Sequence, residues 1–212
     1  MTKTLHYLFD PLCGWCYGAG GTVAEIAALP GVSLRLLPSG LFAGTGARPM
    51  TADFADYAWN NDQRIERLTG QRFTEKYQRD VLGDLGQMFD SGPATLALTA
   101  VALTAPEREL QALKAIQQAR YVHGLDITQS HMLADALTQL GLGAAADRLA
   151  RPDAALLDAN RARIAQAQAL SERFGARGVP AFVLEQSGQQ QVLHSSAVFS
   201  NPQAFLAQVA GA

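Results

Sequence analysis

Cys13 and Cys16 are the two cysteines of a 212-residue chain, and they stand three positions apart with Gly14 and Trp15 between them. Two cysteines placed at random in such a chain fall at this spacing about once in 100 times, so the pair reads as a redox couple. A bridge closing so short a loop removes little entropy from the unfolded chain, which argues against stapling and for chemistry. In the first turn of a helix the pair has the Cα separation a disulfide needs. Only the first sulfur then sits at the helix terminus, where unpaired N–H groups and the macrodipole favour negative charge. Cys13 is therefore the expected attacking thiol, exposed at the helix start. Cys16, one turn deeper, is the expected resolving thiol that releases a partner from the mixed disulfide. Gly14 leaves the backbone open to approach, and Trp15 adds an apolar surface without an ionisable group. A histidine there would add positive charge, so this pair is predicted to be less oxidising than histidine-bearing ones.

Two other readings of the pair are weak. Half of a zinc site would need two more ligands; there are no further cysteines, and His6, His123, His131 and His194 form no close pair. A purely structural thiol pair gains little from so short a loop. A second feature is Gly178-Val179-Pro180, a proline leading into a strand pattern. It reads either as an ordinary edge-strand proline or as a cis Val179–Pro180 bond. In the second case the backbone of Val179 is free to pair with an extended peptide beside Cys13.

The elements that must position these residues follow from pattern. Thr4–Phe9 is a strand closed by Asp10-Pro11. A helix from Cys13 to about Leu29, loosened between Gly18 and Gly21, leads to a second strand over Val32–Leu37, a parallel βαβ unit. Gly40–Pro49 reads as a linker. From Met50 to about Leu149 every strong signal is helical, with a helix over Asp53–Leu68 whose apolar positions include Phe54, Tyr57, Ile65 and Leu68. An apolar helix runs from Gly92-Pro93 to Leu103. The next runs from Pro106 to its cap at Gly124, and another is capped by Thr128 and ends near Gly141. Asp153–Phe174 is a long amphipathic helix. Val179–Leu184 and Gln191–His194 are strands about the turn Ser187-Gly188, and a last helix follows Asn201-Pro202. The order is β-α-β, about 100 residues of helix, then α-β-β-α.

A net charge of -2 gives no footprint for nucleic acid. No apolar run approaches the roughly 20 residues that span a bilayer. No basic segment precedes an apolar stretch and a cleavage site, so the chain reads as cytoplasmic.

Asp10-Pro11-Leu12-Cys13-Gly14-Trp15-Cys16-Tyr17-Gly18 after the first strand resembles the DsbA-like branch of the thioredoxin superfamily, within its group of bacterial protein-disulfide isomerases. So do Gly178–Val183, the helical block between, and His123–Thr128, and the likeness covers essentially the whole chain. The resemblance implies an α/β, thioredoxin-like fold with a large helical insertion: residues 1–49 and 150–212 form the thioredoxin-like domain and 50–149 the insertion, which borders the substrate groove. It implies that Cys13 attacks, Cys16 resolves and Pro180 is cis beside them. Gly14, Trp15 and Val179 are expected to line the substrate site. Many relatives carry an acid six positions before the first cysteine. Here Tyr7 stands there, which is no carboxylate base at neutral pH, and Glu25 is a weak substitute.

The expected activity is thiol–disulfide exchange of the reductase or isomerase type, on protein or small-thiol partners. It needs a recycling redox partner and no cofactor or metal beyond the Cys13–Cys16 couple, with glutathione or another thiol as a possible co-substrate. In a reducing cytosol the resting form is the dithiol. Two alternatives stand beside it. One is a glutathione-dependent transferase or isomerase of the same branch, whose members typically carry serine in place of the first cysteine. The other is a non-catalytic peptide-binding module, with Trp15, Tyr17, Phe42 and Trp59 as an apolar rim.

Overall fold

The computed structural model describes residues 3–211. Strand β1 (Lys3–Phe9) is followed by helices α1 (Gly14–Gly18) and α2 (Gly20–Ala27) and by β2 (Val32–Pro38). Strand β3 (Arg48–Pro49), α3 (Ala52–Thr69), α4 (Glu75–Tyr77) and β4 (Met88–Phe89) come next. Helices α5 (Gly92–Thr104), α6 (Glu109–Tyr121), α7 (Ser130–Gln139), α8 (Gly143–Ala150) and α9 (Ala154–Phe174) lead back to β5 (Ala181–Gln186) and β6 (Gln189–Leu193). Two helices, α10 (Ala197–Ser200) and α11 (Pro202–Gly211), end the described chain. No described helix is long and apolar enough to cross a membrane.

The main sheet has the order β2-β1-β5-β6. β1 and β2 are parallel, as the βαβ pattern requires, and β5 runs antiparallel to both β1 and β6. Alternation along β1 divides its side chains between two faces. Leu5, Tyr7 and Phe9 join Val23, Ile26 and Phe205 in the larger core, so α2 and α11 cover that face. Leu8, Leu37, Ala181 and Val183 pack against Ala167 and Leu170 of α9 on the other.

Several expectations need correction. The first helix is divided at Ala19 into α1 and α2. Segment 48–89 is not purely helical, because Arg48–Pro49 pairs with Met88–Phe89 in a two-residue ladder. Thr128 does not cap α7; its hydroxyl donates to Asp126 Oδ1 at 2.6 Å, and Gln129 precedes the helix. Tyr57 is 65% exposed and Leu68 is also exposed, so the buried stripe of α3 runs through Asp62 and Ile65 instead. Proline 180 is not an edge-strand proline. It precedes β5, which has a neighbour on each side, and the Val179–Pro180 bond is cis.

Other signals are realised as caps. Thr51 Oγ1 accepts from the Phe54 amide at 3.2 Å, and Asp153 Oδ1 accepts from the Leu156 amide at 2.7 Å. Gly124 takes φ +62° just beyond α6, where a Cβ would press on the Lys76 carbonyl oxygen at 2.9 Å.

Arg163 ties the long helix to the rest. From α9 its guanidinium donates to the Leu36 carbonyl of β2 at 2.9 Å and to Thr99 Oγ1 of α5 at 3.1 Å, and it pairs with Glu109 of α6. Arg163→Ala would leave a largely buried carboxylate unpaired. We expect a loss of about 3 kcal/mol of unfolding free energy in chemical denaturation, with no change in thiol content.

Candidate active site

The site is assembled at the end of β1. Asp10 is wholly buried there. Its Oδ1 accepts from the Leu12 amide at 2.9 Å, and its Oδ2 accepts from the Phe42 amide at 3.1 Å and the Ser91 hydroxyl at 2.7 Å. Burial pushes its carboxyl up, against the pull of these three bonds. The Asp10 carbonyl accepts from the Cys13 amide at 3.1 Å, and Tyr121 donates to the Leu12 carbonyl at 2.7 Å. The turn that delivers Cys13 is thus fastened to three distant parts of the chain.

Cys13 is the N-terminal cap of α1, with extended backbone at φ −83° and ψ 116°. Both cysteines are free thiols. Cys13 is less open than expected, at 8% exposure. Its Sγ lies 3.5 Å from the Val179 carbonyl oxygen, in hydrogen-bonding position. It is nonetheless not sealed in. Cys13, Gly14 and Trp15 line a hollow of about 550 Å³, mouth included, whose other walls include Phe42, Phe54 and Tyr121. Trp15 also walls a second hollow with Val179, Pro180, His194 and Phe199. Cys16 opens into neither. It is 1% exposed and faces back toward Tyr7, whose hydroxyl donates to the Cys16 carbonyl at 3.1 Å. Burial pushes the Cys16 thiol well up, and the neighbouring Cys13 sulfur adds to the effect. Burial likewise holds the Tyr7 phenol neutral.

The fold separates the remaining candidates. Glu25 is exposed on α2 and takes no part. Tyr17 is core, stacked on Tyr121 with centroids 4.7 Å apart, and Trp59 packs toward Tyr77, so neither forms a rim with Phe42. No group of three or more histidine, cysteine or acidic side chains is placed to hold a metal among the described residues.

One residue was missed altogether. Asp62 of α3 is 5% exposed and lines the same hollow as Cys13. A Cβ on Gly14 would overlap Asp62 Oδ1, and one on Gly18 would overlap Ile65. The two glycines of α1, four apart, give a bare strip on which Asp62, Ile65 and Thr69 of α3 rest. That glycine spacing was the available signal. The Tyr77 hydroxyl donates to Asp62 Oδ2 at 2.9 Å. Burial pushes the Asp62 carboxyl from 3.8 up to about 7, against the pull of Tyr77 and Arg120.

The model of the DSBA-like thioredoxin domain matches residues 4–208. The chain belongs to this family. Its structure is similar to that of cytosolic disulfide reductase DsbM from Pseudomonas aeruginosa. The two are 36% identical with a TM-score of 0.86, over 97% of this chain and 96% of that one. The same reductase with GSH gives 35% and 0.84 over the same shares. A structure from Nitrosomonas europaea, 22% identical with a TM-score of 0.80 over 99% of this chain and 96% of that one, shares the fold. No curated protein matches the chain.

The raised Asp62 carboxyl makes a stability prediction. Between about 4 and about 7 the unfolded chain has released this proton and the folded chain still holds it. Folding is therefore favoured by this group at acid pH and loses that contribution as pH rises through about 7. Asp62→Asn, which cannot ionise, should raise the melting temperature relative to wild type at pH 8 and by much less at pH 4.

Proposed function

We propose that the chain is a cytosolic disulfide reductase in which Cys13 attacks and Cys16 resolves. Disulfide reduction is the activity named for DsbM, a protein that the chain resembles in sequence and fold. The observation that carries the assignment is the unequal setting of the two sulfurs. Cys13 caps α1 and reaches an apolar hollow, while Cys16 sits one turn on, almost wholly buried and outside that hollow.

Reduction proceeds in two exchanges. The Cys13 thiolate attacks one sulfur of a disulfide; a Cys13–sulfur bond forms, the partner's bond breaks, and the displaced sulfur leaves with the electron pair. Cys16 then gives up its proton and attacks Cys13 Sγ. The Cys13–Cys16 bond forms and the second partner sulfur leaves as a thiol. The partner gains two electrons and two protons, and the enzyme pair is oxidised. The first amides of α1 lack intrahelical acceptors and lie beside Cys13, which supports its role. Val179 and Pro180 wall the adjoining hollow, supporting a place for them along a bound substrate chain. We read Gly14 as part of the floor of the first hollow and Trp15 as the wall between the two. Glutathione, present with DsbM, is the small thiol we assign to the recycling step here.

Insulin reduction with dithiothreitol tests the assignment. Cys13→Ser should abolish it, and Cys16→Ser should accumulate mixed disulfides on Cys13; full activity in Cys13→Ser would end the assignment. The potential should also follow from the residues between the cysteines. Because Trp15 brings no positive charge to the pair, equilibration with glutathione should give a value well below the about −120 mV of the strong oxidant DsbA, near or under the glutathione couple.

A further inference from the structure

The hollow that Cys13 lines is largely apolar, so a thiolate displaced into it would be poorly solvated. A proton donor at that point would lower the barrier. The position six residues before Cys13 holds Tyr7, which lies behind Cys16 and is bonded to its carbonyl. It does not line the hollow that Cys13 faces. Among the described residues, Asp62 is the one carboxyl that lines this hollow.

We propose that Asp62 is the proton donor to the leaving sulfur of the substrate disulfide, a role resting on the disulfide-reductase reading above. Its carboxylate is held from one side only. Oδ2 accepts from Tyr77, whereas Oδ1, against Gly14, takes part in no hydrogen bond among the described residues. Gly14 lets it come this close, because any side chain there would displace it. In the step itself Cys13 Sγ bonds to one substrate sulfur and the disulfide bond breaks. The other sulfur takes the bonding pair and the Asp62 proton, leaving as a neutral thiol and Asp62 as a carboxylate, which solvent reprotonates through the open mouth.

The charges around Asp62 suit this cycle. Tyr77 and Tyr121 face it as neutral phenols, their acidity suppressed by burial. Arg120 of α6 is the nearby cation. From α1 the ionisable neighbours are Cys16 and Tyr17, and Cys13 caps that helix. In the turn 78–82, Arg79 and Asp80 pair with each other near the surface, and α10 brings no ionisable group. With a carboxyl titrating near 7, both forms are populated at neutral pH, as a recycling acid requires.

Leaving-group chemistry tests the role. Bis(2-hydroxyethyl) disulfide and dipyridyl disulfide are both uncharged, but the first expels a basic alkyl thiolate and the second an aromatic sulfur that needs no proton there. Single-turnover rates of the reduced full chain are measured with each, by rapid acid quench and mass spectrometry. Asp62→Asn should slow the alkyl substrate about 10²-fold and leave the aromatic one within about twofold. In wild type the alkyl-to-aromatic rate ratio, from which Cys13 ionisation cancels, should fall as pH rises through about 7. An equal change in both substrates, or a flat wild-type ratio, overturns the role; the ratio needs no variant and stands even if Asp62→Asn folds poorly. Failure of wild type with both substrates, or adduct formation that survives Cys13→Ser, would instead overturn the reductase reading and this role with it.

Discussion

The Asp10 carboxylate has no exposure, and each of its oxygens is engaged: one by the amide of Leu12, the other by the amide of Phe42 and the hydroxyl of Ser91. Three segments separated by up to 81 positions therefore meet on one side chain. Those amides and that hydroxyl would be stranded without it, and stranded buried donors are costly. The constraint sets where β1 ends, where the loop after β2 crosses and where α5 begins. Cys13, hung from the Asp10 carbonyl, inherits its position from all of them. The site is thus a junction between the sheet and the helices threaded through it.

A second consequence of the junction is that two chemically identical side chains acquire different surroundings. One turn of helix separates them, yet Cys13 meets a hollow and the Val179 carbonyl while Cys16 meets Tyr7 and the packed interior. Tyr7 itself is locked into the core by stacking on Phe9 and Phe182, with centroids 5.3 and 5.1 Å away. The place that a charged group would occupy behind the pair is filled by a neutral ring. The acidic function has instead been supplied from the opposite side, by a helix belonging to the block between β2 and β5.

The strand–helix–strand order, the helical stretch that follows and the final β-β-α unit were legible because each has strong periodicity and clear breakers such as Pro30-Gly31, Gly124 and Gly175. The cysteine spacing announced the chemistry. What was not legible depends on pairings across long distances. Arg48–Pro49 and Met88–Phe89 are too short to carry an alternation signal, and they form a ladder only because α3 and α4 fold back between them. Thr128 looked like a cap, but Asp126 two residues earlier captures its hydroxyl. Asp62 sits in a polar run, Asn60-Asn61-Asp62-Gln63, with nothing local to mark it as buried. Only the packing of α3 on the glycines of α1 draws it inward.

Trp15 lies between the two sulfurs in sequence and between the two hollows in space, its ring edge-on to Phe199 at 4.9 Å with the Arg64 guanidinium 5.8 Å from its centre. Trp59 is the other indole in the chain. Thiols and disulfides quench indole emission to different extents, and Trp15 is next to Cys16 and two residues from Cys13. The protein therefore carries its own optical gauge of oxidation state, readable without label or coupled assay. Trp15 walls both hollows, so the gauge also senses what fills them.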